Sequence, residues 1–178
     1  MNGWRPGDRR PDSASMLRVD QAGEYGATRI YAGQLAVLRR NCPESKLIAR
    51  MAAQEERHLK RFNDLMAERR VRPTALQPLW NVAGFALGAA TALLGERAAM
   101  ACTVAVEEVI DRHYQRQAAA LGEAEPALTA RIEEFRADEL HHRAVALEHG
   151  AAETPGYGLL AAAVKAGSRL AIWLSERL

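Results

Sequence analysis

The chain has 178 residues, enough for one domain with a buried core. Its 24 basic and 22 acidic residues leave a formal net charge of +2, which gives no indication of a nucleic-acid partner. Aromatic residues are few and alanines frequent, which favours helices over strands. Cys42 and Cys102 form no CxxC motif or disulfide framework, so they indicate a reducing compartment and thiols that pack rather than react.

Residues 1–15 are polar, interrupted by two prolines, and lack the apolar core of a secretory signal. We expect a disordered tail there and a single domain over residues 16–178. Helical periodicity begins near Ser15 and stops at residues 41–43, and a second amphipathic helix covers about residues 44–70.

An apolar helix is predicted over about residues 77–95. Its uncharged core, residues 79–94, is shorter than the about 20 apolar residues that cross a bilayer. The Gly84-x-x-x-Gly88 spacing permits close helix packing. Further helices are predicted over residues 97–121, 126–149 and 157–177. Because no segment alternates as a strand does, the chain is predicted to be all-α.

The second half of the sequence repeats charged and polar side chains of the first half at matching positions. An offset of 83 residues pairs Glu24 with Glu107, Arg29 with Arg112, Tyr31 with Tyr114 and Gln34 with Gln117. An offset of 84 repeats the Glu-x-x-His pair of Glu55 and His58 as Glu139 and His142. The repetition indicates two copies of one helical hairpin, over about residues 16–72 and 97–150.

The spacing predicts that the repeated side chains meet. Residues three apart share one face of a helix, so each Glu-x-x-His presents both groups together. In each half the lone glutamate and the Glu-x-x-His lie about equally far from the predicted turn, so they lie level in an antiparallel hairpin. Two hairpins packed face to face bring four carboxylates and two imidazoles to one depth of a four-helix bundle.

Four buried carboxylates repel one another and need counter-charge, which two metal ions supply. One glutamate from each of two helices and a Glu-x-x-His from each of the others is the ligand set of ferritin-like di-iron or di-manganese proteins. Carboxylates with two imidazoles suit iron or manganese. The predicted bridging ligands are Glu55 and Glu139; the predicted terminal ligands are Glu24, His58, Glu107 and His142.

A single Glu-x-x-His on a charged helix is more often an exposed pair than a metal site, and the charged neighbours of His58 agree with that simpler interpretation. The matched spacings of all six residues, with a turn midway in each half, favour the metal site.

Five segments of the chain are specific enough to compare with a known family: LRVDQAGEYGATRIYAGQLAV, QEERHLKRFNDLM, RVRPTALQPLWNVAGFALGAATALLG, ACTVAVEEVIDRHY and AIWLSERL. In these segments the chain resembles the demethoxyubiquinone hydroxylase family of ubiquinone biosynthesis. The resemblance covers about residues 16–178 and includes all six expected ligand positions. It implies a di-iron monooxygenase that uses O2 to hydroxylate the ring of 2-polyprenyl-3-methyl-6-methoxy-1,4-benzoquinol. Because no GxGxxG motif is present, the electrons are expected from outside the chain, from a reductase, NADH, NADPH or a quinol.

Further roles are predicted near the ligands. Tyr31 and Tyr114 follow the lone glutamates by two helical turns, so they relay protons or electrons, bind the quinone, or are core tyrosines. The resemblance favours a substrate-side role for His113 with Tyr114. Asp20 and Asp111, one turn from the lone glutamates, are expected to orient a ligating imidazole or to be surface acids.

The two apolar helices either cover the bundle core or face a membrane, with Lys165 and Arg169 reaching the surface. The insoluble polyprenyl tail favours peripheral attachment to the cytoplasmic side of a bacterial inner membrane, or to the mitochondrial inner membrane in a eukaryote. The resemblance implies as partners the polyprenyl quinol and other ubiquinone-biosynthesis proteins, including a lipid-binding protein. The sequence leaves open whether the chain forms a homo-oligomer.

Two rival interpretations share these residues. A ferritin-like protein that stores iron or handles peroxide has the same ligands, although the two extra apolar helices argue against it. A metal-free helical scaffold of a quinone-biosynthetic complex would retain the repeated glutamates without using them.

Overall fold

The computed structural model describes residues 12–39 and 42–178. These residues form six α-helices and two short 3-10 turns, without a strand, which confirms the predicted all-α class. The helices are α1 (Ser13–Val37), α2 (Pro43–Arg69), α3 (Gln77–Leu93), α4 (Glu96–Leu121), α5 (Pro126–Glu148) and α6 (Tyr157–Ser175). The predicted tail lies mostly in residues 1–11, outside the described residues.

Local caps set the helix ends. The Asp12 side chain accepts a hydrogen bond from the backbone N–H of Ser15 at 3.1 Å, so α1 begins slightly before the start of the periodic pattern. The Sγ atom of Cys42 accepts the backbone N–H of Ser45 at 3.3 Å, and Pro43 occupies the first turn of α2. One of the two cysteines therefore caps a helix.

Helices α1, α2, α4 and α5 form the bundle in two hairpins, α1 with α2 and α4 with α5. An apolar cluster fills each end of its interior. One end contains Leu17, Phe62 and Ile132, and the other contains Leu38 and Met100. Each large apolar side chain that is fully buried stabilises the fold by about 1.5–3 kcal/mol. The middle of the bundle, between the clusters, holds the polar residues described below.

Helix α3 packs against α1 through glycines. A Cβ atom added to Gly88 would lie 1.9 Å from the backbone oxygen of Ile30, and one added to Gly33 would lie 2.1 Å from the backbone oxygen of Phe85. The predicted close packing at Gly84 and Gly88 is thus observed, within the protein and against α1. Helix α6 packs against α4, and Trp80 of α3 donates a hydrogen bond to Ser175 of α6 at 3.0 Å.

We expect Gly88→Ala to lower the free energy of unfolding by about 1–3 kcal/mol, because the added methyl group forces α1 and α3 apart. Gly167→Ala is the matched control, since a Cβ at this helical position meets no atom within 4 Å. It should be neutral or stabilise by up to about 1 kcal/mol. Urea denaturation compares the two variants, and equal stabilities would contradict the close packing of α1 and α3.

The two apolar helices bury one face and expose the other. No helix among the described residues is both long and apolar enough to span a membrane. The structure therefore supports the helical bundle with two added helices, and it does not show that these helices face a membrane. Large apolar side chains that are more than half exposed occur at Leu79, Val82, Leu93, Leu94, Leu159, Leu170 and Leu178.

Candidate metal centre

The six predicted ligands converge in the middle of the bundle. Each is buried, with no more than 3% of its surface exposed: Glu24, Glu55, His58, Glu107, Glu139 and His142. Helices α1 and α4 supply one glutamate each, and α2 and α5 supply one Glu-x-x-His each. The convergence that the spacing predicts is therefore present in the fold.

Two groups of four ligand atoms share the glutamates of α2 and α5. Glu24 and His58 belong to one group and Glu107 and His142 to the other, while Glu55 and Glu139 belong to both. Within each group the four ligand atoms lie within 4.8 Å of one another. The arrangement would suit a pair of ions, each held by one histidine and one lone glutamate, with Glu55 and Glu139 available to both.

The histidine nitrogens that face the centre lie at distances expected around an ion. His58 Nδ1 is 3.3 Å from Glu139 Oε1 and 3.6 Å from Glu24 Oε2, and His142 Nδ1 is 3.1 Å from Glu55 Oε1. Neighbouring ligands of one ion with bonds of about 2.1 Å lie roughly 3 Å apart. The ligand atoms would therefore need to move only slightly closer together when a metal ion binds.

Within the described part of the chain, the inward-facing atoms are left without hydrogen-bond partners. Among the described residues, no hydrogen bond satisfies either oxygen of Glu55 or Glu139, one oxygen each of Glu24 and Glu107, or Nδ1 of either ligand histidine. Buried polar atoms are normally paired, so a concentration of unpaired acceptors and ring nitrogens in one place requires an explanation. Two divalent cations would satisfy all of them, and the residues therefore fit a dinuclear metal site.

Polar residues of the opposite helix hold the outer nitrogens of both histidines. His58 Nε2 lies 2.9 Å from Asp138 Oδ2, and His142 Nε2 lies 3.2 Å from Gln54 Oε1. Each partner directly precedes the shared glutamate of its own motif. A residue of α5 therefore supports the histidine of α2, and a residue of α2 supports the histidine of α5. These contacts leave Nδ1 free to face the centre.

The prediction that Asp20 and Asp111 orient the ligating imidazoles is wrong. Asp20 Oδ1 lies 3.2 Å from Nε2 of His113, and Asp111 accepts a hydrogen bond from Arg136 at 2.6 Å. Residues 20 and 111 are on the helices of the lone glutamates, whereas the ligand histidines are reached from the facing Glu-x-x-His helix. The polar residue before each Glu-x-x-His was the signal that identifies the correct partners.

We expect Asp138→Asn to weaken metal binding by about 10- to 100-fold, because an amide supports the His58 ring less well than a carboxylate. Asp111→Asn removes the same charge from a carboxylate whose one ion pair among residues 12–39 and 42–178 is with Arg136, and it should leave the affinity unchanged. Competition with a chelator of known affinity measures both variants. Equal affinities would show that Asp138 does not orient the imidazole.

Both repeated tyrosines hydrogen-bond to the lone glutamate of the other hairpin. The Tyr31 hydroxyl donates to Glu107 Oε1 at 3.0 Å, and the Tyr114 hydroxyl donates to Glu24 Oε1. Both rings are 2% exposed. The bonds occupy one oxygen of each glutamate and leave the other for an ion, so the tyrosines orient the proposed terminal ligands.

His113 lies apart from the six-residue centre and lines a surface cleft of about 540 Å³ between α1, α4 and the residues that follow α6. It contacts Asp20, and Gln117 Nε2 lies 2.9 Å from its Nε2 atom. The structure therefore places His113 on the cleft side and its neighbour Tyr114 on the side of the metal centre.

The electrostatics of the metal-free centre favour protons where cations would bind. Burial, and then the charge of Glu139, raise the pKa of both Glu55 and Glu107 well above the ordinary value. Burial would also raise the pKa of Glu139, but the neighbouring His142 and His58 lower it to about 2. Burial would lower the pKa of His58, but Glu139 and Glu24 raise it to about 10.

We expect the metal-free protein to lose stability as the pH rises from about 5 to 8. Folded Glu55 and Glu107 retain protons that unfolded glutamates, with a pKa of about 4.3, have already lost. A group that binds more protons when folded contributes stability that falls with pH, by up to about 1.4 kcal/mol per unit. His58 acts in the same direction, because its stabilisation is complete below its ordinary pKa of about 6.5 and is lost towards 10.

Urea denaturation of the chelator-treated protein at several pH values measures this slope. The metal-loaded protein is the control, and its slope should be smaller because cations replace the protons. A stability of the metal-free protein that rises over the same range would contradict the protonated centre.

Comparison with known proteins agrees with the geometry. Residues 11–175 match the family model described as ubiquinone biosynthesis protein COQ7. A Rhodospirillum rubrum protein named 3-demethoxyubiquinol 3-hydroxylase is 56% identical over 97% of this chain and 82% of its own length. A Homo sapiens protein named NADPH-dependent 3-demethoxyubiquinone 3-hydroxylase, mitochondrial, is 55% identical over 92% of this chain and 76% of its own length.

A more distant relative from Saccharomyces cerevisiae, named 5-demethoxyubiquinone hydroxylase, mitochondrial, is 42% identical over 92% of this chain and 77% of its own length. The matches span nearly all of the described helices, including the four that carry the buried glutamates and histidines. They confirm the resemblance predicted from the sequence. The chain belongs to the ubiquinone biosynthesis protein COQ7 family.

Proposed function

We propose that this chain is an O2-dependent di-iron monooxygenase that hydroxylates the ring of demethoxyubiquinol, in the biosynthesis of ubiquinone. The relatives above are named for this hydroxylation, and this chain matches them over at least nine-tenths of its length. The observation that carries the proposal is the pair of buried ligand groups that share Glu55 and Glu139.

The ligand chemistry supports iron in these groups. Carboxylates and imidazoles without a thiolate suit iron or manganese. Two ferrous ions held here would supply two electrons to dioxygen, so that one oxygen atom enters the ring and the other leaves, with two protons, as water. We assign Glu55 and Glu139 as bridging ligands. The terminal ligands are Glu24 with His58 and Glu107 with His142.

The surrounding side chains hold the ligands and exclude water. Tyr31 and Tyr114 each fix one oxygen of a terminal glutamate, while Asp138 and Gln54 fix the histidine rings. The apolar clusters at both ends of the bundle separate the centre from solvent. A dry, fixed set of donors reduces reorganisation during the reaction.

The quinol ring approaches most directly from the side of α3 and α6. A cavity of about 10 Å³ lies beside Glu107 and Tyr31, with Ile30 and Val106 in its wall. Ile30 and Val106 also pack in the apolar cluster beneath α6. Such a cavity holds about one water molecule, so the ring can enter only when these apolar side chains move.

Peripheral membrane attachment through α3 and α6 is part of the proposal. Leu159 is 80% exposed on α6 and Val82 is 68% exposed on α3. Such apolar side chains suit contact with a bilayer, where a polyprenyl substrate resides. Scattered apolar residues are normal, but several on two adjacent helices indicate an interaction surface. In a bacterium this surface would meet the cytoplasmic side of the inner membrane, and in a eukaryote the mitochondrial inner membrane.

Electrons arrive from outside the chain. The Homo sapiens relative is named NADPH-dependent, so NADPH or NADH is the proposed donor. We keep His113, Tyr114 and Tyr31 as the relay or substrate-side residues, since Tyr31 and Tyr114 bond ligand glutamates and His113 reaches the cleft. Other ubiquinone-biosynthesis proteins, including a lipid-binding protein, and a second copy of the chain remain the proposed partners.

Mass analysis of the quinone product tests the function. The iron-loaded protein is reduced without oxygen, mixed with a demethoxyubiquinol analogue and exposed to 18O2. We expect one 18O atom in the product. If a filled and reduced site consumes oxygen without labelling the quinone, the iron-storage or peroxide-handling alternative gains support; if no metal binds, the metal-free scaffold does.

A further inference from the structure

One edge of α6 carries positive charge beside its exposed apolar residues. At 100° per residue, Lys165 and Arg169 lie together at the edge of the helix, between the buried Val164 and the exposed Leu159 and Leu170. Arg169 is exposed, whereas Lys165 is partly buried against the bundle. The edge therefore adjoins the surface that we propose to meet the membrane.

Lys165 belongs to a cluster in which cations outnumber acids. Its Nζ atom lies 2.6 Å from Glu108 Oε2, while Arg143 Nη2 lies 3.5 Å from Oε1 and Arg112 Nη2 lies 3.8 Å from Oε2 of the same carboxylate. One acid is thus shared by three bases from three helices. Only the lysine contact is short, so most of the arginine charge is not neutralised.

Arg169 extends the cluster along the surface. Helices α4 and α6 run in the same direction, since Lys165 meets Glu108 and the ends of both helices line one cleft. Arg169 and Arg112, each four residues further on, therefore lie at about the same level. We call Arg112, Arg143, Lys165 and Arg169 the cationic edge.

Nearby acids do not cancel this charge. Asp111, next to Arg112, accepts a hydrogen bond from Arg136 at 2.6 Å, and Glu176 lies 3.1 Å from Arg177. Among the described residues, Glu108 is the one carboxylate that forms ion pairs with the bases of the cationic edge. Four bases with one acid leave three positive charges. The neighbouring Asp111 and Glu133 share Arg136 and carry one negative charge, so the local excess is two.

We infer that the cationic edge binds the phosphate of an anionic phospholipid headgroup. The apolar residues of α6 enter the outer layer of the bilayer, while the neighbouring bases remain at the depth of the phosphates. Charge complementarity and continuity with the exposed apolar surface favour a lipid over a soluble anion. The contact would fix which edge of α6 faces the headgroups. This inference rests on the proposed membrane attachment.

The test compares binding of the full chain to vesicles of phosphatidylcholine alone and of phosphatidylcholine with phosphatidylglycerol. The variant is Arg112→Gln with Arg169→Gln, which removes two exposed charges and leaves the Lys165–Glu108 pair intact. The matched control is Arg50→Gln with Arg57→Gln, two exposed arginines of α2, a helix without substantial contact to α6. Thermal unfolding verifies that all three proteins are folded.

We expect wild type and control to bind the anionic vesicles more tightly than the neutral ones. The variant should bind anionic vesicles about 25-fold more weakly, about fivefold for each lost charge, with no change on neutral vesicles. High salt should reduce the difference. Equal binding by variant and wild type, or an equal loss in the control, would overturn the inference.

Two further outcomes separate this inference from its alternatives. If millimolar inorganic phosphate stabilises wild type but not the variant, and vesicle binding is equal for both, the ligand is a soluble anion and the inference is wrong. Hydroxylation of a short-tailed quinol in detergent should survive in the variant. Loss of anionic selectivity with retained hydroxylation supports the inference, whereas wild type that binds anionic vesicles selectively but hydroxylates nothing contradicts only the proposed function.

Discussion

Replacing Glu139 with glutamine is expected to remove both metal ions and all measurable hydroxylation. Glu139 belongs to both ligand groups, and each of its oxygens lies 3.3 Å from a different histidine nitrogen. The amide is neutral and nearly isosteric, so the packing stays while the bridging charge is lost. Because losing even a supporting residue costs about 10- to 100-fold in metal affinity, loss of this shared ligand should cost more than about 100-fold for each ion.

Glu148→Gln is the matched control for this substitution. Glu148 is an exposed residue on the same helix, α5, and its replacement should leave both metal content and turnover as in wild type. Elemental analysis and the quinone assay read the two effects separately. Turnover by Glu139→Gln protein at the wild-type rate would mean that the ligand assignment is wrong.

Glutamates in place of Leu159 and Leu170 are expected to abolish binding to vesicles. These side chains are 80% and 56% exposed on α6. Full burial of a leucine in an apolar phase is worth about 1.5–3 kcal/mol. Two such losses, with two negative charges added at the membrane surface, should weaken binding at least about 100-fold.

The control adds the same charges to α2, through Ala49→Glu and Ala53→Glu. Both positions are exposed, and α2 is a helix without substantial contact to α6. Co-sedimentation with vesicles should show wild-type binding for this control. An equal loss in both double variants would indicate a general charge effect and would contradict attachment through α6.

The sequence predicts the helices closely because strong local signals mark their ends. Pro43, Pro126 and Gly156 lie at the starts of α2, α5 and α6, where proline and positive-φ glycine terminate or initiate helices. The pairing of the hairpins follows from turns that lie midway between the repeated acids. The helix-end signals and the equal spacings to the turns are therefore enough to predict that the six side chains converge.

The supporting contacts of the centre were not predictable to the same degree. Which acid reaches His58 depends on the relative rotation of facing helices, and this rotation is a property of packing rather than of spacing along one helix. Asp20 is well placed by sequence distance, yet it contacts His113, while Asp138 of the opposite helix contacts His58. The repeated polar residue before each Glu-x-x-His, Gln54 and Asp138, becomes informative only when the crossing is known.

The apolar helices show a second limit of the sequence. A core-covering helix and a membrane-facing helix have similar compositions, and α3 and α6 cover the core on one face while exposing apolar residues on the other. Glycine spacing in α3 correctly predicted close packing, but not that the partner would be α1, because the glycines of both helices must be aligned in space.

Anomalous diffraction at the iron absorption edge, on crystals of iron-loaded protein, tests the dinuclear centre most directly. We predict two peaks between the carboxylates of Glu55 and Glu139, one bonded to Nδ1 of His58 and the other to Nδ1 of His142. A single peak, or iron bound only at the protein surface with the six buried side chains left without metal, would contradict the account.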